Sequence, residues 1–293
     1  MSTLRETFLK TRNDIKSQKV SISDNIIYRL LINAEGMNSF TELITNFDKT
    51  LANPHCFERN LAKVLEGQPL QYVLGEAPFI DLDLYVNSNV LIPRPETEGL
   101  VMLVQKLISD NSLNHDTIAD VCTGSGCIAL YMKYKYPNSR IIATDLYEDA
   151  LAVARSNSER HKLFVDFMKG DKLQPMLESN IKLDVLISNP PYVENQDDIQ
   201  PIVKNYEPMY AVYSEDGLAF YKEYFKNYKK IMNKKFVMAF EINYDQKESL
   251  TKLIGKYFKD EDTSFLFLKD IYDKYRYLII TGGYDVKYFE IWL

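Results

Sequence analysis

Positive charge, cysteine and long apolar runs are all scarce in this sequence, and each shortage closes off a class of function. Thirty-five lysines and arginines face 41 aspartates and glutamates, a net charge of −6. A protein that depends on phosphate contacts usually carries a basic balance or at least a basic face, so direct nucleic-acid binding is not expected. One basic cluster exists, Lys222, Lys226, Lys229, Lys230, Lys234 and Lys235. It reads as the solvated face of a helix whose Tyr221, Tyr224, Phe225 and Ile231 turn inward. The three cysteines, Cys56, Cys122 and Cys127, are odd in number and too few for a disulfide framework. Cys122 and Cys127 have no further Cys or His nearby to complete a zinc set. No run approaches the length of a membrane span, and residues 1–18 lack the apolar core of a secretory signal. The expected location is cytoplasmic, without membrane association. Neither repeats nor low-complexity stretches are visible.

What is present fits an ordinary globular chain. With 293 residues and 46% hydrophobic content there is room for one large domain and one small one. Residues 4–67 carry helical periodicity in four stripes. Ser23 or Asp24 starts the second, which Gly36 stops, and Ser39 caps the third. The fourth runs over residues 57–65, leaving His55 in a loop. This region, residues 1–75, is expected to be a small bundle that holds a macromolecular partner. Residues 68–79 contain two prolines and a glycine and read as a linker. From Phe79 to Ile92 the residues alternate around an Asn87-Ser88-Asn89 turn, which predicts a β-hairpin across the 76–92 connection. Residues 93–293 form the large domain. Pro95 and the glutamates Glu96 and Glu98 suit the first turn of a helix.

After that helix, strands and helices alternate. Strands are expected at 117–121, 140–144, 164–168, 184–188, 236–242, 264–268 and 275–280, with helices at 128–134, 148–161, 217–232 and 246–258. Such alternation predicts an α/β fold with a doubly wound, mostly parallel sheet and an antiparallel edge at its end.

Chemistry-bearing residues stand at the ends of these strands. The first runs into Cys122-Thr123-Gly124-Ser125-Gly126, whose glycines let the backbone approach a ligand ahead of a helix N-terminus. The turn lacks the third glycine of the dinucleotide fingerprint. Asp145 closes the second strand, where a carboxylate can accept both hydroxyls of a ribose. Asp171 follows the third strand, near the expected position of an adenine amino group, with Lys172 beside it. The apolar strand 184–188 runs into Asn189-Pro190-Pro191-Tyr192. Two prolines stiffen this corner and leave its carbonyls unpaired. The Asn189 side-chain oxygen and the Pro190 carbonyl suit the two N–H bonds of a planar NH₂ group, and Tyr192 offers a flat wall.

The ordered set resembles class I S-adenosylmethionine-dependent methyltransferases, and Asn189 to Tyr192 resembles those that methylate planar NH₂ nitrogens. That subset includes DNA adenine-N6 and protein glutamine-N5 enzymes. Further segments are similar to one family, the release factor glutamine methyltransferases: Gln71-Tyr72-Val73-Leu74-Gly75, Pro93-Arg94-Pro95-Glu96-Thr97-Glu98, Tyr206-Glu207-Pro208, Glu241-Ile242-Asn243-Tyr244-Asp245-Gln246 and Lys269-Asp270-Ile271. The resemblance implies a seven-stranded sheet and S-adenosyl-L-methionine as cofactor. The implied acceptor is the glutamine side chain in the Gly-Gly-Gln loop of class-1 peptide chain release factors, so the reaction belongs to translation termination. It also implies that Cys122 to Gly126, Asp145, Asp171, Lys172 and Asn189 bind the cofactor. Asn189, Pro190, Pro191 and Tyr192 would hold the acceptor, and Asn189, Pro190 and Tyr192 would act catalytically, with neither metal nor dedicated general base. Cys122 stands where many members have glycine, which crowds the turn. Asn243 replaces a usual glycine, and residues 284–293 read as an extra tail. The rival is a DNA adenine-N6 methyltransferase, which would normally bring a basic face or a target-recognition domain; a non-catalytic cofactor-fold protein is more remote. A monomer is expected.

Overall fold

The computed structural model describes residues 2–17, 22–259 and 262–284. They fall into two compact units, divided between Glu76 and Ala77. The tail at 285–293 lies outside the described residues.

The first unit holds five helices, α1 (Leu4–Ser17), α2 (Asp24–Glu35), α3 (Phe40–Thr45), α4 (Pro54–Leu65) and α5 (Leu70–Leu74). Their inward stripes, among them Leu4, Phe8, Leu30, Leu31, Leu43 and Phe57, pack into one core. Punctuation works here as capping rules dictate. Gly36 ends α2 in the left-handed conformation, and the Ser39 hydroxyl accepts the Glu42 N–H to start α3. Two expectations are corrected. His55 is not in a loop: Asn53 caps α4 by accepting the Cys56 N–H and Pro54 fills its first turn, so the helix begins ahead of His55. Likewise the supposed linker contains α5, which Pro69 precedes and a left-handed Gly75 stops.

Next along the chain come a two-stranded hairpin, β1 (Glu76–Phe79) and β2 (Leu82–Tyr85), then α6 (Pro95–Asn111). The turn therefore falls at Ile80-Asp81 and not at Asn87-Ser88-Asn89. Ile80 adopts a φ of 53°, unusual for a β-branched residue. Its N–H is held by the Glu98 carboxylate at 2.9 Å and its side chain packs on the core, so tertiary contacts override turn propensity.

The alternating part follows as β3 (Thr117–Val121), α7 (Cys127–Lys135), β4 (Arg140–Asp145), α8 (Glu148–His161), β5 (Asp166–Lys169), α9 (Gln174–Glu178) and β6 (Leu183–Ser188). It ends with α10 (Pro201–Tyr206), α11 (Ala219–Ile231), β7 (Met232–Glu241), α12 (Lys247–Tyr257), β8 (Thr263–Lys269) and β9 (Tyr275–Gly282). The seven-stranded sheet has the order β5-β4-β3-β6-β7-β9-β8. Strands β5 to β7 are parallel, and β9 pairs antiparallel with β7 and β8. This is the class I S-adenosylmethionine-dependent methyltransferase fold.

Alternate residues of each strand feed the two faces. Ile118, Val185, Ile187 and Val237 pack under α6 and α7, while Val121, Leu186, Met238 and Phe240 pack under α11 and α12. Tyr221, Tyr224 and Phe225 of α11 are fully buried, each contributing about 1.5–3 kcal/mol of transfer free energy. All six residues of β6 are buried, as a central parallel strand requires. The chain runs outward from β3 to β4 and β5, then returns to β6 on the other side of β3. That reversal opens a crevice at the strand carboxyl ends.

Candidate active site

Strand register brings the motif residues together. Val121 lies opposite both Thr144 and Ser188, so β3, β4 and β6 end side by side. The turn after β3 is pinned there. The Thr123 N–H donates to the Thr144 carbonyl at 3.0 Å, and the Ser188 hydroxyl donates to the Val121 carbonyl at 2.6 Å. Within the turn Cys122 takes a φ of 65° and Gly124 and Gly126 take 53° and 84°. What sets Cys122 apart from a glycine here is conformational, since a side chain occupies a left-handed position. Burial raises its thiol far above the ordinary range. At Gly124 a Cβ would meet no protein atom within 4 Å, so open space lies directly against the backbone. At Gly126 a Cβ would sit 3.1 Å from the Ala154 Cβ, the close helix packing that glycine permits.

Beneath the turn Asp120 is buried. One of its oxygens accepts the Thr123 hydroxyl at 2.6 Å and the Ala129 N–H at 3.1 Å, and the other has no hydrogen-bond partner. Asp145 accepts the Gly124 N–H and the Tyr147 N–H, each at 3.0 Å, which fixes its carboxylate at the end of β4. Burial raises its carboxyl above the usual range despite those bonds. Asp171 holds the Lys172 ammonium with both oxygens at 2.8 and 2.9 Å, and that ammonium also lies 4.9 Å above the Phe220 ring.

These groups line a cavity of about 140 Å³ that includes Gly124, Asp145, Asp171, Lys172 and Asn189. Sequence reading missed several of its walls. Phe220, and Tyr147 stacked on Tyr210 at 3.7 Å between ring centroids, also line it. Aromatic walls give flat apolar faces beside the acids, and nothing in the local sequence pattern distinguishes them from core aromatics.

A second cavity, of about 410 Å³, opens on Pro190, Tyr192, Glu241, Tyr244 and Arg276. Both cavities share Asn189, Pro191, Leu91, Arg94 and Ala211 as walls. The Asn-Pro-Pro-Tyr corner is therefore the partition between a mostly apolar cavity with an acidic floor and a polar one. Behind the partition the Asn189 side-chain NH₂ donates to the Thr97 hydroxyl at 3.0 Å, which donates to Glu241 at 2.8 Å. The other Glu241 oxygen accepts the Tyr192 hydroxyl at 3.1 Å. The polar tip of Tyr192 is thus turned inward, and its ring remains as cavity wall. Thr97 and Glu241 lie in segments singled out by resemblance, but their meeting across 144 residues was not visible in the sequence. His115 and His161 bond to the carbonyls of Leu113 and Asp83 and line neither cavity.

Known proteins resemble this chain in sequence and in fold. Residues 97–248 match the Methyltransferase small domain family. The release factor glutamine methyltransferase of Staphylococcus aureus is 38% identical over 73% of this chain and 76% of its own. That of Bacillus subtilis is 37% identical over 75% and 77%, and that of Mycoplasma mycoides 30% identical over 94% and 99%. Among solved structures, the N-terminal domain of human METTL16 in complex with SAH matches with a TM-score of 0.50 at 18% identity, covering 70% of this chain and 77% of that one. Human methyltransferase 10 domain containing protein matches with a TM-score of 0.51 at 17% identity, covering 78% and 98%. At such identities the structural likeness concerns the fold alone. Identity of 30–38% over most of both chains goes further than a shared fold, and it places this chain in the release factor glutamine methyltransferase family.

Proposed function

We propose that this methyltransferase uses S-adenosyl-L-methionine to methylate the side-chain amide nitrogen of the glutamine in the Gly-Gly-Gln loop of class-1 peptide chain release factors. The observation that carries the reading is the shared wall of the two cavities, where Asn189 and Pro191 face both sides. The first cavity fits the cofactor: Gly124 leaves open space against its backbone, Asp145 offers a fixed carboxylate to a ribose, and Asp171 stands where an adenine amino group is expected. Cys122, Thr123, Ser125 and Lys172 complete that cradle, while Gly126, expected there too, packs against Ala154 and does not line the cavity. When bound, the cofactor supplies an electrophilic methyl group on a sulfonium sulfur.

The chain supplies position and aimed dipoles. An amide nitrogen is a poor nucleophile because its lone pair is delocalised into the carbonyl. In this reading its two N–H bonds go to the Asn189 side-chain oxygen and the Pro190 carbonyl, and the Tyr192 ring and Pro191 confine its plane. The nitrogen is thereby aimed through the partition, and both acceptors favour the positive charge that develops on it. The helical unit, residues 1–75, is assigned to docking the release factor, with residues 93–293 performing the transfer as a cytoplasmic monomer.

The test is a labelled-methyl transfer assay with a class-1 release factor, its Gly-Gly-Ala loop variant and duplex DNA as acceptors. Label on the intact factor alone supports the reading. Label on DNA alone overturns it in favour of adenine-N6 chemistry at the same corner.

A further inference from the structure

We propose that Thr97 and Glu241 are positioning residues that set which end of the Asn189 amide faces the acceptor cavity. The proposal rests on the reading of Asn189 as the acceptor's hydrogen-bond partner and concerns how that partner is kept in its active orientation.

The two ends of an asparagine amide are nearly identical in shape, so hydrogen bonding alone selects one. Here the selection is relayed through a single hydroxyl proton. Glu241, as a carboxylate, accepts hydrogen bonds only. Its two oxygens take the Thr97 hydroxyl at 2.8 Å and the Tyr192 hydroxyl at 3.1 Å. Having given its proton to Glu241, Thr97 can only accept from Asn189. The amide must therefore present its NH₂ to Thr97, at 3.0 Å, which leaves the oxygen as the end available to an acceptor NH₂ group.

Burial makes this relay rigid. Thr97 is 3% exposed and Glu241 2% exposed, so little of either group is open to water. Both are held from the backbone side. Thr97 sits in the first turn of α6 with its N–H on the Arg94 carbonyl at 3.1 Å, and the Glu241 carbonyl accepts the Tyr221 hydroxyl at 2.7 Å. Thr97 lines the first cavity and Glu241 the second, so the chain of bonds passes behind their common wall. Without the carboxylate, the Thr97 proton is free to turn toward Asn189. The flipped amide would then set its NH₂ against the acceptor NH₂, two donors facing each other with neither satisfied.

The experiment compares wild type, Thr97→Ser, Thr97→Ala, Thr97→Val and Glu241→Gln for kcat on a class-1 release factor, for S-adenosylhomocysteine affinity by calorimetry, and for thermal unfolding. A buried polar group left unpaired corresponds to about a 10- to 100-fold loss of kcat in Thr97→Ala, Thr97→Val and Glu241→Gln. Thr97→Ser should restore turnover to within about twofold, because it keeps the hydroxyl. Thr97 also lines the first cavity, but the loss should fall much more on kcat than on cofactor-product affinity, a split that general loosening of the fold would not give. Thr97→Ser and Thr97→Ala differ only by the hydroxyl and are both smaller than threonine, so the comparison holds even if the valine variant fails to fold. The double variant Thr97→Ala, Glu241→Gln should lose no more than the worse single variant, since both break one relay. Wild-type turnover in Thr97→Ala overturns the proposal. So does loss in Glu241→Gln alone, which would place Glu241 in direct contact with the acceptor. Failure of the wild type to label the release factor would instead bring down the functional reading itself.

Discussion

Arg94 and Glu207, 113 residues apart, form an ion pair in which the Glu207 side chain is 3% exposed. Glu207 also accepts the Ile92 N–H at 3.0 Å. The pair ties the segment before α6 to the loop between β6 and α11, and Arg94 lines both cavities. Glu207→Gln keeps the shape and removes the charge. Discounted for the partly exposed arginine, stability should fall by about 1–3 kcal/mol, and both cofactor and acceptor should bind more weakly. Thermal unfolding and calorimetric titration of S-adenosylhomocysteine check both effects. Unchanged cofactor affinity would show that the clamp is structural only.

Asn189→Ala removes an acceptor aimed at the amide nitrogen while leaving the rigid Pro190-Pro191 corner in place. By analogy with loss of one oxyanion-hole donor, kcat at saturating cofactor should drop roughly 10²-fold or more. Single-turnover labelling of a release factor measures this directly. Near-wild-type turnover in a folded variant would remove Asn189 from the mechanism.

Strand ends were readable because each motif is contiguous and the α/β alternation dictates where it must lie. The turn 122–126, Asp145, Asp171 and Asn189 were placed in one crevice for that reason. Contacts between distant segments were not readable. Nothing near Thr97 signals that its hydroxyl meets Glu241, and nothing near Phe220 or Tyr210 marks them as cavity walls and not core. The hairpin turn was misplaced because Asn87-Ser88-Asn89 has the stronger local preference, whereas Ile80 is held in its left-handed conformation by Glu98 and core packing.

Asp145→Ala should act on the cofactor instead of the transfer step. The carboxylate organises the Gly124 and Tyr147 N–H groups as well as offering oxygens to a ribose. Losing charge-assisted hydrogen bonds worth about 1.5–3 kcal/mol corresponds to at least a tenfold weaker affinity. With saturating cofactor, kcat should largely recover. Calorimetry showing unchanged affinity would refute the ribose assignment, whatever happens to turnover.

Asp120 predicts an unusual pH dependence of stability. Burial pushes its carboxyl up to about 7, against the hydrogen bonds from Thr123 and Ala129 that pull it down. In the unfolded chain an aspartate titrates near about 3.9. Between these values the folded protein keeps a proton that the unfolded chain has released. The contribution is therefore complete below about pH 4 and is lost as pH rises through about 7. Asp120→Asn cannot titrate, so its stability relative to wild type should improve by about 2 kcal/mol between pH 5.5 and 8. Glu241 is shifted in the same direction, but both proteins carry it and it cancels in the difference, whereas the charge of Asp145 adds to the upward push on Asp120. Urea unfolding of the cofactor-free proteins across that range tests the point. A constant offset would mean that Asp120 is ionised throughout, and that its unpartnered oxygen is hydrated and not buried dry beneath the glycine turn.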